Sequence, residues 1–276
     1  MFLKACCLAA LALALAASLA DAATVRLWRL DCGTIQADDL DLFSDTFRYA
    51  GQKKTLANSC YLIRHDDAYL LWDAGLPGEL LGAPLGDGPM SATLGTTIVR
   101  QLQALGVAPG DIARLGVSHA HFDHVGQAAD FPGATLLIGR ADFEALAADP
   151  PPFAMNPQLL APWRTGHAPV ETVTGDRDVF GDGSVVMLAM PGHTQGSYAL
   201  LVRLAQAGPV LLSGDVAIFE EQLAAGAVPS FNADRARSLA SMQRLREIAE
   251  TLRATLVVQH DADDIGKLPR FPACAQ

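Results

Sequence analysis

The chain has 276 residues, of which half are hydrophobic and 18% are charged, and its net charge is −10. This composition provides enough apolar material for a folded core and excludes the highly charged, apolar-poor class of disordered chains. The negative charge also disfavours nucleic acids and anionic membranes as partners, because both are bound through basic surfaces.

The first 22 residues have the pattern of a secretory signal peptide. Lys4 precedes the apolar run ACCLAALALALAASLA, and the small residues of ADA (20–22) fit a cleavage site. We therefore expect cleavage near Ala22, a periplasmic or secreted protein of residues 23–276, and no membrane attachment afterwards. A retained membrane anchor is the alternative, but the run is short for a span and no stop-transfer flank follows.

The first half of the mature chain predicts strands followed by helices. TVRLWRLDCGTI (24–35) predicts a strand, and residues 38–59 predict a long polar surface loop. CYLIR and AYLLWDAG predict a hairpin around HDD, and GTTIVRQLQALG (95–106) has helical spacing. An apolar strand then leads to VSH, and ATLLIG precedes the helix RADFEALAAD (140–149), which prolines end.

The second half repeats this order. SVVMLAMPGHT, SYALLVRLA and PVLLSGD predict three strands or strand ends before the clearest helix, RARSLASMQRLREIAETLRA (235–254), and the strand TLVVQHD. Strands and helices do not alternate strictly. The chain therefore favours one α/β domain of two mixed sheets, packed face to face with helices outside, over a doubly wound parallel sheet.

Seven metal-ligating side chains follow the ends of predicted strands. Four come from VSHAHFDHVGQ (117–127), and the others from PGHTQGS, VLLSGDVA and VVQHDA. Alternate positions of an extended segment face the same side, so two of these histidines project together. Imidazole and carboxylate are ligands that zinc prefers. The set predicts a metal site formed by His119, His121, Asp123, His124, His193, Asp215 and His260.

These motifs resemble the metallo-β-lactamase superfamily. HAHFDH matches its H-x-H-x-D-H signature, and LLWDAGLP places Asp73 at its Asp-x-Gly position. Within the superfamily the chain is most similar to the N-acyl-homoserine lactone lactonases, which inactivate quorum-sensing signals. The resemblance covers nearly the whole mature chain, and it implies an αββα sandwich with two divalent metal ions, zinc by default. Iron, cobalt and manganese suit the same ligands.

The resemblance also implies a role for each ligand. It assigns one ion to His119, His121 and His193, the second to Asp123, His124 and His260, and a bridging position to Asp215. Asp73 would orient a ligand rather than bind metal. Ring opening would proceed by attack of a metal-bridging hydroxide on the lactone carbonyl, and Asp123 would be the catalytic residue that passes a proton to the leaving ring oxygen.

One position departs from the family pattern. The lactonases commonly carry a tyrosine three residues after the bridging aspartate, and this chain has Ile218 there. Isoleucine donates no hydrogen bond, and loss of one oxyanion donor costs about 10²–10³ in rate. This departure bears on the substrate rather than on the metal site.

Substrate selection is expected from residues 38–59 and from the proline-rich insertion 150–169. The insertion offers an acyl chain an apolar surface of Phe153, Met155, Leu159, Leu160 and Trp163, unless these side chains pack beneath it or form a dimer contact. Phe231 and Asn232 are assigned to the pocket from their position before the last helix.

Rival functions share parts of this pattern. Dizinc β-lactamases of the superfamily lack an aspartate in the role of Asp215, acylglutathione thioesterases are usually intracellular, and the nucleases carry an additional domain and basic surfaces. A phosphotriesterase, another ester or lactone hydrolase, and a non-catalytic metal-binding relative stay open. After cleavage, Cys32, Cys60 and Cys274 allow one disulfide, whose pairing the sequence does not assign, and a homodimer is also compatible with the chain.

Overall fold

The computed structural model describes residues 23–86 and 88–276. The predicted signal peptide, residues 1–22, lies outside the described residues. In the described part of the chain, no helix has the length and apolar character needed to cross a membrane.

The first sheet has seven strands in the order β4-β1-β2-β3-β5-β6-β7. Strands β1 to β4 pair antiparallel, and β5, β6 and β7 extend the sheet from β3 in parallel. The strands are β1 (Val25–Ala37), β2 (Lys54–His65), β3 (Ala68–Trp72), β4 (Met90–Thr93), β5 (Ile112–Gly116), β6 (Thr135–Gly139) and β7 (Val170–Val173).

The second sheet has five strands in the order β12-β11-β10-β9-β8. Only the β11–β12 pair is parallel. The strands are β8 (Arg177–Asp178), β9 (Val185–Ala189), β10 (Tyr198–Leu204), β11 (Gly208–Leu212) and β12 (Thr255–Val257). The α-helices are α1 (Ile98–Ala104), α2 (Phe122–Val125), α3 (Arg140–Ala145), α4 (Ala161–Arg164), α5 (Glu220–Ala225) and α6 (Arg235–Leu252).

Alternation of side chains along the strands creates the layers. Tyr61 and Ile63 of β2 face the second sheet and share a core with Leu200 of β10. Leu62, between them, faces the other way and packs in a separate core with Leu102 of α1. A third core covers the outer face of the second sheet with α5 and α6. The predicted sandwich of two mixed sheets between helices is confirmed.

The segment 38–59 is a correction to the sequence prediction. Its second part is strand β2, which begins at Lys54 rather than at Cys60. Its first part is not a purely solvated loop, because Leu40, Phe43 and Tyr49 are buried. Polar residues separate these three apolar side chains in the sequence, so the pattern does not show that they pack together near the strand ends.

The structure assigns the cysteine pairing that the sequence leaves open. Cys32 and Cys60 form a disulfide between β1 and β2, and Cys274 is free. The bridge packs against Gly75, which adopts a positive φ of 59°. A Cβ at Gly75 would lie 2.9 Å from Cys32 Sγ, so a larger residue there would clash with the bridge. The disulfide therefore supports the loop that begins at Asp73.

Candidate metal centre

The chain topology brings distant residues to one edge of the sandwich. Parallel strands end at the same edge, so the segments after β3 and β5 carry Asp73 and His119 to neighbouring places. The parallel pair β11 and β12 does the same for Asp215 and His260. All seven predicted ligands are buried, and they form three overlapping groups in which the ligand atoms lie within 4.8 Å of one another.

Asp215 faces two separate sets of imidazoles with its two carboxylate oxygens. Oδ2 lies 3.3 Å from His193 Nε2 and 3.9 Å from His119 Nε2. Oδ1 lies 3.0 Å from His260 Nε2 and 3.2 Å from His124 Nε2. One carboxylate therefore joins two ligand groups, which is the arrangement expected of a bridging residue.

The remaining two ligands fall into these same groups. His121 Nδ1 lies 3.0 Å from His193 Nε2, so His121 belongs with the Oδ2 side of Asp215. Asp123 Oδ2 lies 3.5 Å from His124 Nε2 and 3.7 Å from His260 Nε2. The geometry thus reproduces the grouping that the family resemblance implies.

The side chains fit divalent metal ions. Within the described residues, His119 Nε2, His124 Nε2 and Asp215 Oδ1 are buried and form no hydrogen bond of good geometry, although Oδ1 lies within 3.2 Å of two imidazole nitrogens. Each unsatisfied buried polar atom costs about 1–3 kcal/mol. These three atoms converge within the ligand groups, so coordination to a cation would satisfy them together.

Burial keeps His119, His121 and His193 in the neutral form, which is the form that binds metal. Burial and the neighbouring imidazoles of His124 and His121 hold the pKa of His119 well below its usual range. Burial and the His193 imidazole lower the pKa of His121 to about 3. Burial also lowers the pKa of His193. At neutral pH these imidazoles are uncharged, as coordination requires.

The group formed by Asp123, His124 and His260 carries more negative charge. Burial opposes protonation of His124 and His260, but the carboxylates of Asp215 and Asp123 outweigh it and raise the pKa of both histidines. Burial opposes ionisation of Asp123, but His124 and His260 outweigh it and lower its pKa to about 2. Binding of a cation here would therefore release protons from the imidazoles.

Asp73 fixes the ring of His124. Its Oδ2 lies 3.0 Å from His124 Nδ1 and accepts from Ser118 Oγ at 2.9 Å, and its Oδ1 accepts from the Ser118 N–H at 2.6 Å. Asp73 adopts a φ of 60°, an uncommon conformation for a residue other than glycine. Its buried hydrogen bonds hold it there, so the Asp-x-Gly residue fixes the orientation of the His124 ring.

Other ligands have their own orienting partners. His260 Nδ1 donates to the backbone carbonyl of Ala57 at 2.7 Å, and Asn58 Nδ2 donates to the carbonyl of Asp123 at 2.9 Å. The sequence does not indicate Asn58, because this residue falls within the segment 38–59 that is predicted to be a polar loop. Such contacts leave Nε2 of the histidine free for a metal.

Asn232 is a correction. The sequence assigned it to the substrate pocket, but its Oδ1 lies 2.8 Å from His193 Nδ1, and it does not line the cavity. Asn232 therefore contacts the ring of His193, one of the predicted ligands, rather than the cavity. Its neighbour Phe231 does line the cavity, as predicted.

The sequence model of the Metallo-beta-lactamase superfamily matches residues 54–260. The chain belongs to this superfamily. N-acyl homoserine lactonase AttM of Rhizobium radiobacter is 30% identical over 263 residues, which are 90% of this chain and 99% of that protein. AttM of Azorhizobium caulinodans is 31% identical over 217 residues, 74% of this chain and 81% of that protein. The predicted assignment to metal-dependent hydrolases of the lactonase group is confirmed.

Solved structures of this superfamily have the same fold. The AiiA variant of B. thuringiensis with N-decanoyl-L-homoserine bound at its active site has a TM-score of 0.79 at 23% identity, over 91% of this chain and 99% of that chain. The dizinc quorum-quenching lactonase AidC, in complex with a hexanoyl homoserine product, has a TM-score of 0.66 at 18% identity, over 92% and 93% of the two chains.

An apolar cavity opens at the edge of the sandwich where the seven predicted ligands lie. Its wall includes His121, Asp123, His193, Asp215 and His260, together with Ile35, Phe43, Leu56, Met90, Phe153, Ile218 and Phe231. The rings of Phe153 and Phe231 lie 5.2 Å apart, and Phe231 lies 5.9 Å from the ring of His193. The cavity therefore joins a polar reaction centre to an aromatic and aliphatic wall.

The insertion 150–169 contributes less to this wall than predicted. Phe153 lines the cavity and is 56% exposed. Leu160, also predicted for the pocket, is fully buried in the core beside the first sheet, with Trp163. Trp163 Nε1 donates to the carbonyl of Ala134 at 2.9 Å, which fixes this part of the insertion. Packing beneath the insertion, the alternative left open by the sequence, is therefore correct for Leu160.

Proposed function

We propose that this protein opens the lactone ring of N-acyl homoserine lactones with two divalent metal ions, zinc in the first instance. The observation that carries the proposal is that the two oxygens of Asp215 face two different histidine groups. An anionic carboxylate between two ligand sets suits a pair of cations. The relatives named N-acyl homoserine lactonase support the substrate class.

The two groups provide complete ligand sets. One ion would be held by His119, His121 and His193, the other by Asp123, His124 and His260, and Asp215 would serve both. Two bound divalent ions supply a hydroxide nucleophile at neutral pH and polarise the ester carbonyl. The buried outer partners Asp73 and Asn232 keep the rings of His124 and His193 in the orientation that binding requires.

Asp123 is the proposed proton carrier. Its carboxylate lines the cavity, and an ionised carboxylate in that place is able to accept a proton and release it again. In ring opening, the bond between the carbonyl carbon and the ring oxygen breaks. The hydroxyl of water stays on the acyl carbon, and the proton passes through Asp123 to the ring oxygen, which gives N-acyl homoserine.

The acyl chain would occupy the apolar wall. Phe231 lies beside the ring of His193 and Phe153 beside that of His121. Ile35 and Met90 extend the apolar surface. Each methylene buried there contributes about 0.8 kcal/mol. Substrates whose chains reach this wall should therefore bind more tightly than short ones.

Ile218 supports a second candidate, a phosphotriesterase or a general ester or lactone hydrolase with the same ligands. Ile218 lines the cavity where the lactonases commonly offer a tyrosine hydroxyl. A site without this donor depends more on the metal ions to stabilise the developing charge, and that demand is common to several hydrolytic reactions.

We also propose that the protein acts in the periplasm or outside the cell. The signal-peptide pattern of residues 1–22 supports this location. The Cys32–Cys60 disulfide supports it independently, because disulfides persist in oxidising compartments.

A substrate panel tests the proposal. Homoserine lactones with short, medium and long acyl chains, an aryl ester, a phosphotriester and a cephalosporin are assayed on one preparation whose metal content is measured. We expect two ions per chain and the highest kcat/KM on the acylated lactones. Faster turnover of the phosphotriester or the aryl ester would favour the second candidate, and rapid cephalosporin hydrolysis with inert lactones would contradict both.

A further inference from the structure

Asp142, in the first turn of α3, is a fully buried carboxylate outside the seven proposed ligands and outside the cavity wall. It accepts three hydrogen bonds. The Gly196 N–H donates to Oδ1 at 2.7 Å, and the Ala120 N–H and the Thr194 hydroxyl donate to Oδ2 at 3.1 and 2.8 Å. A buried carboxylate is costly unless it is hydrogen-bonded in this way, so these contacts define its place.

The three donors all belong to segments that carry ligands of one metal position. Ala120 lies between His119 and His121, and Thr194 directly follows His193. Gly196 belongs to the same loop as Thr194. A single carboxylate therefore ties together the two segments that supply all three imidazoles on the Oδ2 side of Asp215.

The absence of a side chain at Gly196 allows the loop to approach Asp142 closely. A Cβ at Gly196 would lie 2.7 Å from both the backbone nitrogen and Oδ1 of Asp142, so only glycine allows the loop to approach so closely. The Thr194 N–H donates to Ser197 Oγ at 2.9 Å, and the two hydroxyls lie 2.7 Å apart. The loop after His193 is therefore stabilised by hydrogen bonds of its own and is bound to α3 through the carboxylate of Asp142.

We propose that Asp142 is a positioning residue for the metal position formed by His119, His121 and His193. Without its carboxylate, the segment of His119 and His121 and the segment of His193 lose their common anchor. The position formed by Asp123, His124 and His260 keeps its own supports. The inference rests on the proposed two-metal function and extends it to a residue that touches neither metal nor substrate.

Asp142→Asn is the sharpest change. The amide has one acceptor oxygen and one donor nitrogen in place of two acceptor oxygens. Either orientation of the amide leaves at least one of the three donors facing another donor. Loss of such an outer contact typically weakens metal binding by about 10–100-fold. We expect the variant to retain one zinc ion tightly and to bind the second at least about 10-fold more weakly.

A matched control is available in Asp178. Its carboxylate also accepts three N–H groups, from Phe180 at 3.3 Å, Gly181 at 2.9 Å and Gly183 at 2.7 Å, but at a turn of the second sheet. Asp178→Asn removes the same type of contact away from the metal edge. It should lower the melting temperature without changing the zinc stoichiometry.

The experiment is a zinc titration of the wild type and the variants against a chromophoric chelator, with zinc content measured after dialysis. Thr194→Val, which removes only one donor, should weaken one zinc ion in the same direction if Asp142→Asn does not fold. Two ions of wild-type affinity in Asp142→Asn, or in Thr194→Val if only that variant folds, would overturn the inference. If Asp178→Asn loses as much zinc affinity as Asp142→Asn, the inference is also overturned. A wild type that binds no zinc would overturn the proposed function itself.

Discussion

His193 Nδ1 and Asn232 Oδ1 lie 2.8 Å apart, within hydrogen-bond distance. The amide orientation is fixed from the far side, because Asn232 Nδ2 donates to Ser238 Oγ at 2.9 Å. The serine hydroxyl in turn donates to the carbonyl of Asp234 at 2.7 Å, so it accepts from the amide. The ring of His193 therefore carries its proton on Nδ1 and leaves Nε2 free for a metal.

Removal of the Asn232 amide should weaken the zinc ion held by His193. We expect Asn232→Ala to lose about 10–100-fold in affinity for one of its two zinc ions, with activity restored by excess zinc. Asn232→Asp retains an acceptor and should stay near the wild type. Activity measured against buffered free zinc checks this, and identical zinc dependence of Asn232→Ala and the wild type would be evidence against this role.

Phe153 and Leu160 should respond differently to truncation, although both belong to one insertion. Phe153 lines the cavity and is half exposed, so Phe153→Ala should raise KM for long-chain lactones about 10-fold while leaving short-chain lactones and stability nearly unchanged. Leu160→Ala should lower the free energy of unfolding by about 2–5 kcal/mol and leave chain-length preference unaltered.

The two variants serve as controls for each other. Denaturant unfolding and kcat/KM across acyl-chain lengths are measured on both. A Phe153→Ala variant with equal losses on short and long chains would remove the acyl-wall assignment. A change of chain-length preference in Leu160→Ala would mean that the core position reaches the substrate indirectly.

Removal of the metals should destabilise the fold. A ligand present at 100 times its Kd contributes about 2.7 kcal/mol of stability, so the loss of two ions should lower the melting temperature by roughly 10 °C or more. The carboxylates of Asp123, Asp215 and Asp73, which surround His124, would then be compensated mainly by the protons of His124 and His260. Thermal unfolding with and without a chelator measures the change. An unchanged melting temperature, with zinc loss verified on the sample, would argue against metal ions at this buried cluster.

The Cys32–Cys60 bridge should stabilise the chain and the loop of Asp73 above it. Closing a loop of 28 residues contributes about 3–4 kcal/mol in the chain-entropy model. We expect the Cys32→Ser/Cys60→Ser variant to unfold at lower denaturant and to bind zinc more weakly, because Leu76 donates its N–H to the carbonyl of Cys32. Cys274→Ser, at the free cysteine, is the control and should unfold like the wild type. Equal stability of all three proteins would refute the expected contribution.

The sequence alone indicated the seven proposed ligands, because each of these residues follows the end of an apolar strand or lies in one short motif. Parallel pairing of β3 with β5 and of β11 with β12 then makes their convergence a consequence of topology. The strand and helix pattern was equally readable, since alternation and helical spacing are local properties of the chain.

What the sequence did not reveal depends on tertiary packing. Phe231 and Asn232 are adjacent, yet one lines the cavity and the other holds His193, a difference set by the turn before α6. Leu160 and Phe153 carry the same apolar signal, but the core beside the first sheet buries only one of them. Asp142 has no distinguishing signal in the sequence for the same reason, because an acidic residue in the first turn of a helix is common and its three donors come from distant segments.

Zinc content and lactone opening, measured on one sample of Asp215→Asn, show whether this carboxylate joins two metal positions. The amide preserves the shape of the side chain but removes the negative charge between the two histidine groups. We expect two zinc ions and rapid lactone opening in the wild type, and at most one tightly bound ion with greatly reduced turnover in the variant. An Asp215→Asn protein that holds two ions with wild-type affinity and turns over at the wild-type rate would contradict this expectation.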